Sequence, residues 1–220
     1  MRQFAIIGLG NFGSTVARTL GSKGVPVIAV DRNPARVDDL RDEVTHAIVG
    51  DVTDSSFIVS SGIADVDVAL IALGDDIEAS VLVTLNLAEC GVEEIVVKGV
   101  SEEHKRILTV VGAHRVIFPE REMAERIAMA LAAPNIIDHI PLTEGYSIVE
   151  LIAPELFENK SLADLNLRRE YGVELLAIKR AGAEAGPKVV VVPGAGEIIH
   201  PGDKLVILGT EKDVEGIQGI

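Results

Sequence analysis

Aromatic residues are scarce in this sequence, tryptophan is absent, and there is a single cysteine. Aromatic side chains make up 3% of the 220 residues, so the core has to be built from aliphatic side chains, as buried parallel strands prefer. One cysteine, Cys90, excludes an internal disulfide framework and a zinc site of several cysteines. Because Cys90 lies in a helical pattern, we expect it to act as a small buried apolar residue rather than as a nucleophile.

Positive charge is also scarce. The sequence has 20 Lys and Arg against 34 Asp and Glu, a formal net charge of −14, which argues against binding to nucleic-acid phosphates or anionic lipid. The five histidines lack metal-ligand spacing and an obvious relay partner, so they do not form a catalytic set. Neither an apolar run of about 18 residues nor a signal-peptide pattern is visible. We therefore expect a soluble, cytoplasmic protein.

A dinucleotide-binding fingerprint occupies residues 4–31. An apolar run leads into GLGNFG at residues 8–13, and a second apolar run ends at Asp31. In this motif the three glycines permit a tight turn, the close approach of a pyrophosphate and close helix–strand packing, and the helix N-terminus attracts phosphate. Asp31 would accept hydrogen bonds from ribose hydroxyls and would repel a 2′-phosphate, which disfavours NADP. The motif predicts a site for NAD, ATP, ADP or AMP, unless the fold has lost its ligand.

Short apolar runs alternate with helical patterns over residues 1–118, which predicts an α/β fold with a Rossmann-like, doubly wound parallel sheet. We expect residues 119–135 to form a crossover helix and linker. Residues 136–220 show short strands and turns with one helical piece near residues 162–169, which predicts a smaller, β-rich α+β domain. The predicted strands of the first domain are Phe4–Ile7, Val27–Val30, Ala47–Val49, Val68–Leu73, Ile95–Val97 and Val116–Phe118.

Polar residues follow several of these strands, at the sheet edge where a nucleotide binds. Asp51, with the adjacent backbone of Val52, is placed to bind an adenine amino group; alternatively, Asp51 or Thr53 caps the next helix. Gly74 would let the backbone approach the ligand. Lys98 either reaches the phosphates as a point charge or is a solvated surface lysine.

Glu120 follows the sixth predicted strand and has two interpretations. It is either a residue of a helix first turn, where a carboxylate complements the helix dipole, or it faces the phosphates. The second role makes sense for a carboxylate only with a bridging cation.

Motifs along the whole chain resemble the RCK family, the regulatory subunits of Ktr/Trk-type potassium uptake systems. The similarity covers essentially all 220 residues and includes an N-terminal RCK-N and a C-terminal RCK-C unit. The run GAHRVIFPE and the strand YSIVEL are more specific for this family than the glycine motif. The further motifs that carry the resemblance are FAIIGLGNFGSTVARTL, AVDRNPARV, THAIVGDVTD, DVALIALGDDIEASVLVTL, VVKGVSEEHKRIL and GDKLVILG.

The resemblance implies a cytosolic, nucleotide-gated regulatory subunit and not an enzyme. In this family RCK-N subunits dimerise and assemble into an octameric ring, docked on the inner face of the cell membrane under a separate subunit that passes K⁺. ATP and ADP compete for the GxGxxG site, and NAD(H) binds to some relatives. The alternatives are a small NAD-dependent oxidoreductase or redox-sensing NAD-binding protein, and an assembly module with a vestigial pocket.

By motif match, the resemblance implies roles for individual residues. Glu120 would help to hold Mg²⁺ or Na⁺ near the ATP phosphates at a dimer interface. The RCK-C unit is similar to those that bind cyclic di-AMP, with residues 165–168 and 177–179 in that region. The nucleotide-binding residues would be Gly8, Gly10, Asn11, Phe12 and Gly13 at the phosphates, Asp31 at the ribose, Arg32, Asp51 and Val52 at the ribose and adenine, and Ala72, Leu73, Gly74 and Lys98 closing the site.

One position departs from the family pattern. Many close relatives carry GLGRFG, whose arginine reaches the γ-phosphate of a neighbouring subunit's ligand, whereas this sequence has Asn11. An amide can donate a hydrogen bond to phosphate but supplies no charge. The substitution weakens the case for strong discrimination between ATP and ADP and leaves room for NAD or AMP-like ligands.

Overall fold

The computed structural model describes residues 1–74, 76–132, 136–181 and 188–218, and the chain forms two compact units, Met1–Pro119 and Glu120–Ile220. The strands of the first unit are β1 (Phe4–Ile7), β2 (Val27–Asp31), β3 (His46–Val49), β4 (Val68–Ile71), β5 (Glu94–Lys98) and β6 (Arg115–Ile117). They pair in parallel in the order β3-β2-β1-β4-β5-β6. This is the strand order of a dinucleotide-binding sheet, which confirms the predicted fold class.

Helices cover both faces of this sheet. They are α1 (Asn11–Ser22), α2 (Pro34–Asp38), α3 (Ser55–Ser60), α4 (Ile77–Glu89) and α5 (Glu102–Val111). Ile6 and Ile7, neighbours on β1, are both buried but belong to different aliphatic clusters, because successive side chains of a strand point to opposite faces. β4 is buried along its whole length. The sparse aromatic content is therefore matched by a two-sided aliphatic core.

The second unit is built on an antiparallel sheet. Its helices are α6 (Pro119–Ala132), which begins at the unit boundary, α7 (Leu162–Leu165), α8 (Leu167–Glu170) and α9 (Glu211–Gln218). Its strands are β7 (Ile136–Thr143), β8 (Tyr146–Ile152), β9 (Glu174–Lys179), β10 (Val189–Val191) and β11 (Lys204–Thr210), in the order β10-β9-β11-β8-β7. Alternate residues of β8 and β11, such as Val149, Leu151 and Leu205, enter one core, so the predicted α+β domain is confirmed.

Three local expectations were wrong or incomplete. The helical piece near residues 162–169 is two short helices, because Asn166 adopts a left-handed conformation with φ of 42° between them. Cys90 is exposed and not buried, since α4 ends at Glu89 and Cys90 is only its C-cap. α9 was not predicted. Within the described ranges, no helix is long and apolar enough to cross a bilayer.

Candidate functional site

The glycine loop joins β1 to α1, and the structure gives a different reason for glycine at each of its three positions. Gly8 has a φ of +90°, and a Cβ added to it would lie 2.5 Å from the carbonyl oxygen of Ala72. A Cβ on Gly13 would lie 1.9 Å from the carbonyl oxygen of Gly8. A Cβ on Gly10 would meet no atom within 4 Å. The fold itself therefore requires Gly8 and Gly13, whereas the space in front of Gly10 is open.

The N-terminus of α1 differs from those of the helices that follow it. Among the described residues, no side chain caps α1 at Gly10, and its first turn holds no acidic residue. The helices α2, α3, α4 and α5 are each capped by a side-chain oxygen, from Asn33, Asp54, Asp76 and Ser101 respectively. The first amides of α1 thus keep their capacity to donate, and the partial positive charge at a helix N-terminus favours an anion there.

Asp31 ends β2 beside this loop. Its Oδ2 accepts a hydrogen bond from the Leu9 amide at 2.7 Å, and its Oδ1 accepts one from the Asn33 amide at 2.8 Å. The Asp31 side chain is only 10% exposed, and Nη1 of Arg36 lies 3.5 Å from its Oδ2. The carboxylate is therefore fixed against the glycine loop, in the position where a ribose hydroxyl would donate to it. Sequence reasoning missed Arg36, although it stands five residues after Asp31.

Asp51 lies just beyond the end of β3. Its Oδ1 accepts hydrogen bonds from Arg32 Nη2 at 2.7 Å, from the Thr53 amide at 2.9 Å and from Thr53 Oγ1 at 2.6 Å. The prediction that Asp51 or Thr53 caps the next helix was wrong, because Asp54 caps α3 through the Ser56 amide at 2.8 Å. The Thr53 hydroxyl and then the Arg32 guanidinium lower the pKa of Asp51 to about 2.

We expect Thr53→Val to raise the pKa of Asp51 towards its ordinary value of about 3.9, because the Thr53 hydroxyl is the strongest of its donors. Because the carboxyl pKa is lower in the folded protein, it stabilises the fold at pH values above the ordinary pKa. This contribution is lost as the pH falls towards 2. Both Asp51 and Arg32 are more than half exposed, so the contribution is below about 1 kcal/mol. A carboxyl NMR titration measures the shift, with Thr109→Val as a remote control; an unchanged Asp51 pKa in Thr53→Val contradicts the prediction.

The carboxyl ends of β4 and β5 complete this edge of the sheet. Lys98 is the last residue of β5, and its Nζ lies 6.0 Å from the centroid of the Phe12 ring in the first turn of α1, within the range of a cation–π contact. Ala72 and Leu73 follow β4, and Gly74 has a φ of 66°; a Cβ on it would meet no atom of the described residues within 4 Å. The structure thus brings Lys98 beside the first turn of α1, although 86 positions separate Lys98 from Phe12 in the sequence.

Glu120 belongs to the first turn of α6, together with Glu122. In the described ranges, no group of three or more His, Cys, Asp or Glu side chains is arranged to hold a metal ion. A cation at Glu120 therefore stays a prediction, which requires further ligands such as nucleotide phosphates. Asp75 lies outside the described residues.

Three of the histidines lie in the first unit and have different environments. His46 and His114 lie at the start of β3 and just before β6, as expected, and Nδ1 of His114 accepts a hydrogen bond from the Ile95 amide at 3.1 Å. His104 is buried in α5, and in the described part of the chain neither ring nitrogen has a hydrogen-bond partner. Burial lowers the pKa of His104, because the charged imidazolium would lose its hydration.

We expect His104 to make the first unit sensitive to acid. In the unfolded chain the imidazole takes up a proton near pH 6.5, whereas the buried imidazole does so only at lower pH. The contribution of His104 to stability is therefore complete above about pH 6.5 and decreases as the pH falls below that value. His104→Leu should flatten the dependence of the unfolding free energy on pH between 7.5 and 5.5, measured by hydrogen exchange of α5 amides. Exposed His46, replaced by Gln, is the control. An equally steep dependence in His104→Leu contradicts the expectation.

The first unit has the Rossmann strand order and carries the glycine loop that is typical of dinucleotide-binding domains, and a small antiparallel β domain follows it. The family model of the TrkA-N domain matches residues 4–119, and that of the TrkA-C domain matches residues 146–218. The chain therefore belongs to the family of TrkA-N and TrkA-C domain proteins, which includes the Ktr and Trk system potassium uptake proteins. The resemblance drawn from the sequence motifs is confirmed.

Several relatives match nearly the whole length of the chain. The Ktr system potassium uptake proteins C and A of Bacillus subtilis are each 38% identical to it, over 97% of this chain and 94% of theirs. The Ktr system potassium uptake protein A of Vibrio alginolyticus is 34% identical over 96% of this chain and 93% of its own. Among solved structures, the NAD(P)-binding domain of an exopolyphosphatase-related protein from Archaeoglobus fulgidus matches with a TM-score of 0.53 and 25% identity, over 60% of this chain and 98% of that one.

Proposed function

We propose that this protein is a cytosolic regulatory subunit that gates a potassium transporter in response to an adenine nucleotide, ATP and ADP or NAD(H), bound at the glycine loop. The observation that carries the proposal is the uncapped N-terminus of α1, which opens onto free space at Gly10 beside the fixed carboxylate of Asp31. Backbone amides of a helix N-terminus bind phosphate, and a carboxylate binds ribose.

The groups gathered at this site favour binding over catalysis. Donor amides at the start of α1, a carboxylate suited to ribose and a lysine beside the first turn of α1 are groups that bind an anionic nucleotide. Regulation requires only that the ligand have different affinities for two conformations of the protein. We therefore propose a non-enzymatic role, in which the identity of the bound nucleotide sets the state of the transporter.

The relatives support the transport role. Three relatives with at least 34% identity over nearly the full chain are named Ktr system potassium uptake proteins. By analogy, we propose that the partner of this protein is the K⁺-translocating membrane subunit of a Ktr or Trk system, and that the protein docks peripherally on the inner face of the membrane. The TM-score of 0.53 to a domain named NAD(P)-binding supports a nucleotide ligand of the first unit.

Exposed apolar side chains support assembly into a homodimer and then an octameric ring. On α6, Met123 and Ile127 are each 50% exposed and Leu131 is 80% exposed. On α5, Val110 is 87% exposed and lines an open groove with Ile107. Apolar surface of this extent on a helix commonly marks a protein–protein interface. We propose that second copies of this chain cover both faces.

Two further ligands belong to the proposal. We place Mg²⁺ or Na⁺ at Glu120, because its carboxylate is a hard oxygen ligand that a cation could share with nucleotide phosphates. We place cyclic di-AMP in the second unit near residues 165–168 and 177–179. In that region Arg168 has a largely exposed guanidinium, and Asn166 makes the left-handed break between α7 and α8, so both can face a phosphate.

Calorimetric titration of the full chain with ATP, ADP, AMP and NADH tests the site. We expect at least one of them to bind with a Kd well below a millimolar, which means a binding free energy more favourable than about −4 kcal/mol. The same nucleotide should change K⁺ flux in vesicles that contain a Ktr-type membrane subunit and this protein. The absence of binding by all four ligands would contradict the proposal, as would binding without any effect on flux.

We expect Asn11 to limit discrimination between ATP and ADP. Asn11 is the first residue of α1 and is exposed, and its amide cannot compensate the additional negative charge of a γ-phosphate. Asn11→Arg should raise the affinity for ATP relative to ADP by about tenfold, whereas Asn11→Gln should not. Equal ratios in the two variants would show that charge at this position does not set the preference.

A further inference from the structure

An arginine follows the ribose-binding carboxylate directly, but it is already occupied. In sites for 2′-phosphorylated dinucleotides, an arginine near this position binds the 2′-phosphate. Here Arg32 Nη2 donates to Asp51 Oδ1 at 2.7 Å and to Thr53 Oγ1 at 3.1 Å. The guanidinium therefore has a neighbouring carboxylate as its counter-ion, and a ligand phosphate would have to displace it.

The charges around the ribose position balance. Arg32 is paired with Asp51, and Arg36 lies 3.5 Å from Asp31, so two cations face two carboxylates. A 2′-phosphate brings up to two negative charges into a region with no net positive charge. Among the described residues of these two ion pairs, the repulsion of the 2′-phosphate by Asp31 and Asp51 is opposed by Arg32 and Arg36, whose charges the same two carboxylates already compensate.

Asp51, and not Arg32, is the fixed member of the pair. The Thr53 amide and hydroxyl hold Asp51 Oδ1 at 2.9 and 2.6 Å, and the Gly50 amide donates to the Asp31 carbonyl at 3.1 Å, which ties the end of β3 to the end of β2. The Arg32 side chain is 55% exposed and has many rotamers open to it. Loss of the Asp51 charge would therefore release Arg32, while the backbone beneath it would stay in place.

We propose that Asp51 determines ligand specificity by holding Arg32, so that the pocket rejects adenine nucleotides with a 2′-phosphate and accepts those with an unmodified ribose. The inference rests on the proposed function, because it assumes that an adenine nucleotide binds at the glycine loop. It goes beyond that function in naming an ion pair, and not Asp31 alone, as the basis of the selectivity.

Calorimetric titration of the full-length protein with AMP and with adenosine 2′,5′-bisphosphate tests the inference at constant, low ionic strength. The affinity for the bisphosphate relative to AMP should rise about tenfold in Asp51→Asn. The ratio, and not either affinity alone, is the measured quantity, because any contact of Asp51 with adenine affects both ligands equally. In the double variant R32A/D51N, the ratio should return to its value in the parent protein.

Each outcome decides the question. An unchanged ratio in Asp51→Asn, with AMP still bound, overturns the inference and leaves the proposed function intact. An equal rise in R32A/D51N also overturns it, because loss of the Asp51 carboxylate itself, and not release of Arg32, would then be the cause. Arg32→Ala alone serves as the second variant and should not raise the ratio, because it removes the cation and keeps the Asp51 carboxylate; a rise in the ratio in this variant would overturn the inference. Failure of the parent protein to bind any of ATP, ADP, AMP and NADH overturns the proposed function together with the inference.

Discussion

Gly10→Asp is expected to abolish nucleotide binding while leaving the protein as stable as its parent. Gly10 has φ of −68° and ψ of −174°, an extended conformation that aspartate adopts readily at a helix N-cap. A Cβ added to Gly10 would meet no atom of the described residues within 4 Å. The new carboxylate would accept hydrogen bonds from the first amides of α1 and repel phosphate, so we expect at least a hundredfold loss of affinity, about 3 kcal/mol, with stability raised by a few tenths of a kcal/mol.

Gly13→Ala is the matched contrast. Its Cβ would lie 1.9 Å from the Gly8 carbonyl oxygen, and this contact is with backbone, which cannot move aside without a shift of β1 or α1. We expect a loss of about 2–4 kcal/mol in the unfolding free energy of the first unit. Urea unfolding followed by circular dichroism, together with nucleotide calorimetry, separates the two variants. Unfolding of Gly10→Asp would contradict the inference that the fold does not require Gly10. Full stability of Gly13→Ala would contradict the inference that the fold requires Gly13.

The sequence predicted the sheet and the glycine loop because local signals specify both. Short β-branched runs with intervening helical patterns determine a parallel sheet, and the right-handed crossover rule then leaves few strand orders. The three glycines were also predicted, and the structure separates them into two that the fold needs and one, Gly10, that only a ligand would need. For Gly8 the requirement depends on the carbonyl oxygen of Ala72, which comes 64 positions later in the sequence, and no local pattern carries it.

Helix caps were predicted less well, for a physical reason. Asp51, Thr53 and Asp54 can all cap a helix, and the choice depends on where the first turn begins, which sequence patterns fix only to within a few residues. α3 begins at Ser55, so Asp54 is the cap and Asp51 is left to bind Arg32. Because Asp51 does not cap α3, its carboxylate is available for the ion pair with Arg32.

Contacts between distant residues were not predictable from one sequence. The hydrogen bond from the Leu9 amide to Asp31 and the contact of Lys98 with Phe12 both depend on the register of neighbouring strands. Cys90 was predicted to be buried because the helical pattern was extended one residue beyond the end of α4. The same limit applies to the buried charges of the second unit, since nothing in the local sequence pairs Arg180 with Asp203.

Asp203→Asn is expected to destabilise the second unit by about 3 kcal/mol. Asp203 is 1% exposed and Arg180 is 14% exposed. Arg180 Nη1 donates to Asp203 Oδ2 and to the Ile198 carbonyl at 2.8 Å, and the His200 amide donates to the same Asp203 oxygen at 2.9 Å. The carboxylate thus joins the end of β9 to the segment that precedes β11. Without its charge, the Arg180 guanidinium would remain buried and only partly compensated, by Glu197.

Tyrosine fluorescence during urea unfolding reports on this unit selectively, because the two tyrosines of the chain, Tyr146 and Tyr171, both belong to it. Glu170→Gln is the matched control: Glu170 pairs with Arg169 in an exposed salt bridge of the same unit, and its loss should cost less than about 1 kcal/mol. In R180M/D203N the cost should be smaller than in Asp203→Asn, since the uncompensated charge is removed with its partner. A double variant at least as unstable as the single one would mean that Asp203 acts through its bonds to the backbone amides and not through Arg180.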